Sequence, residues 1–178
     1  MNLVIIGFTS SGKTSVAQEL CHRLGGEFVD LDRIIEALYT HKTGEELTCR
    51  DIMRKHGEPK FRKLEARALR GLSKRMGMVL ATGGGAPLGE GNSELLKQVG
   101  SVAYLRTSPE VIFERMEKKG LPVYLDKNPT LDGLRMHWRE RDPIYRELAD
   151  CTVDNTRTTV EETAEKLLAH PALSSFVQ

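Results

Sequence analysis

Along this chain, short blocks that are apolar at every position alternate with stretches in which apolar residues recur every three or four positions. Leu3-Val4-Ile5-Ile6, Met78-Val79-Leu80-Ala81 and Val102-Ala103-Tyr104-Leu105 are apolar on both sides of an extended backbone, as strands buried on two faces must be. They predict strands near 2–6, 78–81 and 102–105, joined by one near 27–31 and a short one at Cys151-Thr152-Val153. Val16, Leu20 and Leu24 repeat at helical spacing until Gly25-Gly26 stops the run, which predicts a helix over 13–24. Helical patterning also covers about 33–76 and about 160–169. Strand, helix, strand, helix implies an α/β fold with a short parallel sheet of about five strands between two helical layers.

Two stretches break the pattern. One, about 39–61, is polar and rich in charge; the other, 118–133, carries Gly120, Pro122, Pro129 and Gly133. Long irregular insertions in a compact domain tend to be lids or binding loops. The segment at about 33–62 is therefore expected to bind substrate, and 118–133 to form a mobile lid. The tail after His170-Pro171 is expected to fray.

The chemistry concentrates first between the predicted β1 and the following helix, where Gly7-Phe8-Thr9-Ser10-Ser11-Gly12-Lys13-Thr14 matches the phosphate-loop pattern G-x-x-x-x-G-K-[ST]. Glycines let backbone N–H groups point at a phosphate, and the helix N-terminus adds partial positive charge. Lys13 would neutralise β- and γ-phosphate charge and the Thr14 hydroxyl would ligate Mg²⁺. Ser10, Ser11, Gly12 and Ser15 complete the expected cradle for a nucleoside triphosphate.

Composition narrows the partners. At 178 residues with 39% hydrophobic content the chain reads as one domain with an adequate core. With 26 basic and 25 acidic residues it has no general attraction for nucleic acid or anionic lipid. Cys21, Cys49 and Cys151 are odd in number and irregularly spaced, so neither a disulfide framework nor a zinc site is indicated. The first strand begins too early to leave room for a signal peptide, and no apolar run reaches the roughly 18–20 residues of a membrane span. A cytoplasmic monomer acting on a small molecule, without nucleic acid or membrane, is expected.

Further polar positions admit two readings each. Asp30-Leu31-Asp32 falls at the carboxyl end of the second predicted strand, where open parallel sheets form their ligand crevice. Alternation along an extended segment would turn both carboxylates to one side, one toward the shell of Mg²⁺ and one toward a substrate hydroxyl. The same residues would also serve as a solvated turn or a helix N-cap. Gly83-Gly84-Gly85 after the third strand offers an unobstructed floor for a small ligand, or a loose loop. Arg62 and Arg141 have the planar fork that grips a carboxylate, though either would also fit as a surface charge paired with nearby acids. The five histidines have no metal-ligand spacing and receive no catalytic role, and Trp138 is read as a packing residue.

Taken in order, these pieces resemble the shikimate kinase family over residues 3 to about 155. The resemblance rests on Gly12-Lys13-Thr14, on Phe28-Val29-Asp30-Leu31-Asp32 with Ile35-Glu36, and on Gly57-Glu58 and Phe61-Arg62 with Glu65. Gly83-Gly84-Gly85 and Glu140-Arg141-Asp142-Pro143-Ile144-Tyr145 with Ala149-Asp150 complete it. It implies a P-loop kinase fold and ATP-dependent phosphorylation of the 3-hydroxyl of shikimate, giving shikimate 3-phosphate and ADP in aromatic amino-acid biosynthesis.

By that resemblance Lys13 and Thr14 serve ATP and Mg²⁺, Asp30 holds the metal through water, and Asp32 orients the attacking hydroxyl. Arg62 and Arg141 clamp the substrate carboxylate, with Gly83, Gly84 and Gly85 as the floor. Arg115 and the loop with Arg157 flank adenine. The family's lid arginine is replaced here by Leu121, in Leu121-Pro122-Val123-Tyr124, with Lys118 or Lys119 as substitutes. That departure keeps two other readings open: a P-loop kinase of a different small molecule, and a nucleotide-binding regulator without turnover.

Overall fold

The computed structural model describes residues 2–119, 125 and 128–176. Five strands, β1 (Leu3–Ile6), β2 (Glu27–Asp30), β3 (Met78–Ala81), β4 (Ser101–Arg106) and β5 (Cys151–Asp154), pair in parallel in the order β2-β3-β1-β4-β5. Val4 of β1 sits opposite Leu80 on one side and Val102 on the other. Because side chains alternate across a strand, β1 feeds two cores. Leu3 and Ile5 pack with Val16, Ala17, Leu20, Ala164 and Leu167, so α1 (Lys13–Leu24) and α8 (Val160–Leu168) cover that face. Val4 and Ile6 pack with Leu69, Ile112, Leu134 and Tyr145, contributed by α4 (Glu58–Leu72), α6 (Pro109–Lys119) and α7 (Leu131–Leu148). Burial on both faces explains why the sequence of β1 shows no polar position. The three-layer α/β/α architecture expected from the alternation is present.

From β1 the chain moves first to the β2 and β3 side, then later to the β4 and β5 side. The carboxyl end of β1 is therefore the switch point at which such sheets open a ligand crevice.

Several local expectations change. Helix α2 (Leu31–Thr43) begins directly after β2. Asp30 is its N-cap, with its carboxylate accepting from the Asp32 N–H at 2.9 Å. Asp32 thus lies in the first helical turn, and the strand alternation expected to align the two acids does not operate.

The stretch 39–61 is mostly helical rather than irregular: α2 runs to Thr43, α3 spans Cys49–His56 and α4 starts at Glu58. Within α3 only Ile52 is buried, so the apolar period that would reveal it is nearly absent. What marks its start is a cap, Thr48 Oγ accepting from the Asp51 N–H at 3.2 Å. The chain end does not simply fray, since Pro171–Phe176 forms a 3-10 turn that buries Leu173.

The ends of the expected lid are helical too, because α6 continues through Lys119 and α7 starts at Leu131 with Thr130 as its cap. Lys118 is consequently a helix residue, its Nζ bonded to Glu114 one turn back at 2.8 Å, not a loop cation. Leu121, Pro122, Val123 and Tyr124 lie outside the described residues, as does the side chain of Lys119. Among the described residues no helix is long and apolar enough to cross a membrane.

Candidate active site

The loop after β1 folds as its glycines require. Gly12 takes φ 98° as the N-cap of α1, in the left-handed region that favours glycine, and Ser10 is also left-handed at φ 64°. The outward carbonyls of this loop are held from outside: Asn155 Nδ2 donates to Ser11 O at 2.7 Å and Arg115 Nη1 to Ser10 O at 3.3 Å. Thr107 Oγ1 in turn donates to Asn155 Oδ1. With the carbonyls tied back, the N–H groups of the first turn of α1, which have no intrahelical partner, are left to face an anion.

They line a cavity of about 420 Å³ together with Thr9, Lys13, Thr14, Ser15, Asp30 and Asp32. Ser11, expected in the cradle, is fully buried and does not line it. Arg115 stands at its wall beside Asn155 and Val160, whereas Arg157 lines a separate hollow with Arg106, Trp138 and Lys166. Trp138 stacks under the Arg106 guanidinium at 4.6 Å and donates to Thr107 O at 3.0 Å.

A second cavity, about 510 Å³, is lined by Arg50, Arg62, Arg141, Glu58, Glu65, Phe61 and the three glycines 83–85. Thr9, Asp32, Gly83 and Gly84 line both cavities. The expected clamp, floor and acid are therefore brought together at one boundary.

Each of the three glycines has a close neighbour. A Cβ on Gly83 would meet Asp32 Oδ1 at 2.8 Å, one on Gly84 would meet the Thr9 N and Oγ1 at 2.6 Å, and one on Gly85 would meet Arg62 Nη2 at 2.5 Å. Each glycine lets one site residue approach the backbone. Tyr145 Oη donates to Gly84 O at 2.6 Å and fixes the turn from the other side. Gly84→Ala meets rigid loop backbone and has nowhere to relax, so it should cost about 1–3 kcal/mol of stability and cut turnover at least tenfold. Urea unfolding and steady-state rates measure the two effects; an alanine variant of wild-type activity contradicts the close-packing account.

Burial sets the charge states. Removal from water pushes the Asp32 carboxyl up to about 6; the nearby Asp30 charge adds to the rise and Lys13 opposes it. Burial lowers the Lys13 ammonium to about 8 against the pull of Asp32 and Asp30. Lys13 Nζ donates to Phe8 O at 2.6 Å, which holds the cation folded back against its own loop.

Arg62 is gripped by two acids: Nε and Nη2 donate to Glu58 Oε1 at 3.2 and 2.9 Å, and Nη1 to Glu65 Oε2 at 2.8 Å. A guanidinium has five N–H donors, so two of Arg62 remain, the number a bidentate carboxylate takes. Arg141 lies across the cavity with its guanidinium 5.9 Å from the Phe8 ring centre.

Sequence reasoning gave no role to Arg50, Thr9 or Asn92, and quoted Glu65 without assigning it one. Glu65 sits three residues after Arg62 on α4, a helical spacing that could have flagged it. Thr9 lies inside the phosphate loop at a position its pattern leaves open, and Asn92 has no local signal.

The donor set fits a hard divalent ion carried by phosphates. Among the described residues no three acids, histidines or cysteines gather as a metal cage. Thr14, exposed at the head of α1, and Asp30 line the first cavity, a pairing that would suit an ion that keeps most of its waters.

Comparison with known proteins gives the same answer. The family model described as Shikimate kinase matches residues 9–171. A shikimate kinase of Thiobacillus denitrificans is 42% identical over 160 residues, covering 89% of this chain and 84% of that one. One of Acinetobacter baumannii, solved in complex with shikimate, superposes with TM-score 0.84 at 38% identity over 99% of this chain and 95% of its own. The shikimate kinase of Aquifex aeolicus superposes with TM-score 0.79 at 29% identity over the full length of both. On this evidence of sequence and fold, the chain belongs to the shikimate kinase family.

Proposed function

We propose that the protein transfers the γ-phosphoryl group of ATP to the 3-hydroxyl of shikimate, yielding shikimate 3-phosphate and ADP for aromatic amino-acid biosynthesis. The observation that carries this reading is the shared wall. Asp32 faces a phosphate-binding cavity on one side and a cavity with Arg62 and Arg141 on the other. A carboxylated ring held by the two arginines presents its hydroxyl to Asp32 and the phosphate loop together.

The acceptor oxygen forms a bond to the γ-phosphorus as the bond to the β–γ bridging oxygen breaks. The hydroxyl proton passes to Asp32, and Lys13 meets the charge that develops on the transferred group. A carboxyl poised near 6 is ionised at neutral pH yet basic enough to take that proton late. Mg²⁺, when bound, neutralises charge on the β- and γ-oxygens; Thr14 would hold it directly and Asp30 through water. Arg115 serves adenine from the wall of the nucleotide cavity. Arg157, which lines the neighbouring hollow, would reach the nucleotide only through movement of its loop.

Both half-sites come from one chain, so a monomer suffices. The free thiols Cys21, Cys49 and Cys151 suit a reducing cytoplasm.

ADP release with shikimate, quinate, gluconate and AMP offered in turn tests the proposal. Turnover with shikimate is expected, and turnover only with another acceptor, or with none, overturns it. Arg62→Ala should raise the KM for shikimate about 10–100-fold while leaving that for ATP within about twofold. Equal KM shifts for both substrates would remove Arg62 from the acceptor site.

A further inference from the structure

We infer that Asn92 is a positioning residue for the acceptor clamp: its side-chain amide locks the Glu65 carboxylate, and through it the Arg62 guanidinium, in the geometry that receives the acceptor. The inference rests on the reading of Arg62 as the group that binds the acceptor carboxylate.

Asn92 opens α5 (Asn92–Val99) and is 1% exposed. Its Nδ2 donates both protons, one to Glu65 Oε2 and one to Ala86 O, each at 2.9 Å. Glu65 Oε2 is the same oxygen that accepts from Arg62 Nη1 at 2.8 Å. Ala86 directly follows the glycine turn, so one amide ties the floor of the acceptor cavity to the acid that holds the clamp.

This arrangement leaves Asn92 Oδ1 buried with no partner among the described residues. Turning the amide over would give that oxygen neighbours, but both are acceptors, a carboxylate and a carbonyl. Only the present orientation is attractive, and it leaves a buried acceptor unpaired, which is unfavourable in a core. A side chain kept for packing alone has no need of this amide. Gly89 shows the same requirement from outside, since a Cβ there would collide with Asn92 Nδ2.

The electrostatics agree. Burial pushes the Glu65 carboxyl up, while Arg62 and then Asn92 oppose the rise. Asn92 therefore helps keep Glu65 ionised, and an ionised Glu65 fixes Arg62 with two N–H groups left for a ligand. Without the amide, Arg62 keeps Glu58 but gains freedom on its inner side.

Asn92→Leu removes both N–H groups at similar volume, and Asn92→Asp keeps the shape but places a second carboxyl against Glu65. In Asn92→Leu the KM for shikimate should rise about tenfold, the loss of one charge-assisted hydrogen bond, with kcat and the KM for ATP within about twofold. In Asn92→Asp the ratio of variant to wild-type KM for shikimate should be larger at pH 8 than at pH 6, because the two carboxyls share a proton that is lost as pH rises. In substrate-free protein, exchange of the Arg62 Nη1 protons, the group held by Glu65, followed by ¹⁵N NMR and assigned by its loss in Arg62→Lys, should quicken about tenfold in Asn92→Leu. Unchanged exchange, or KM values for both substrates rising together, overturns the inference. Absence of turnover with shikimate in the wild type would sink the proposed function alone, since the exchange measurement still decides the role of Asn92.

Discussion

Replacing Lys13 with methionine should lower turnover about a thousandfold while leaving the protein at least as stable as before. The ammonium is buried at the phosphate end of its cavity, where charge interactions are weakly screened. A single preorganised donor aimed at developing charge is worth about 10²–10³ in rate, and a full cation at the transferred group stands at the upper end. The same burial disfavours the charged lysine in the free protein. Its value of about 8 lies below the ordinary 10.5, so the unfolded chain binds more protons between those limits and wild-type stability rises with pH across that window. At neutral pH the buried charge costs up to about 3 kcal/mol. Methionine, similar in length and uncharged, relieves it. Urea midpoints at pH 7 alongside single-turnover rates separate the two effects, and a variant that loses stability along with activity contradicts this account of Lys13.

Asp32→Asn should behave in the same direction for the opposite charge. At neutral pH kcat/KM for the acceptor should fall about 10²–10⁴-fold. The wild-type profile should climb with pH through about 6, where Asp32 ionises, and fall again through about 8, where Lys13 gives up its charge; the variant should lose the rising limb. For stability the sign is fixed by a carboxyl whose folded value lies above its ordinary 3.8. Between 3.8 and 6 the folded state keeps a proton that the unfolded chain has released, so wild-type stability falls as pH rises through that interval. The cost at pH 7 is up to about 3 kcal/mol, and asparagine should recover part of it. A wild-type profile flat from pH 5 to 8 would show that Asp32 does not titrate in the catalytic step.

Both substitutions touch residues legible from sequence, because a phosphate loop is a contiguous signature and its geometry is local. Asp32 was also legible, but through the wrong geometry: strand alternation was expected to align it with Asp30, whereas Asp30 caps a helix and Asp32 rides in its first turn. Helix α3 fell in the part of the helical region read as breaking the pattern, because polar, surface-lying helices carry few apolar anchors, here Ile52 alone. The 27-residue separation of Glu65 and Asn92 is closed only by packing α5 against α4, and no local pattern encodes it. Trp138 and Arg157 gather with Arg106 for the same tertiary reason. The glycine triplet gave its position but not its purpose, since the three close approaches come from three different elements.

The wall shared by the two cavities also sets a rule for ligands made by chemists. One molecule that joins a phosphate-rich half to a carboxylated ring needs only to cross Thr9, Asp32, Gly83 and Gly84, so its linker can be short and stiff. Tethering then replaces a second bimolecular encounter by an effective concentration in the millimolar range or above.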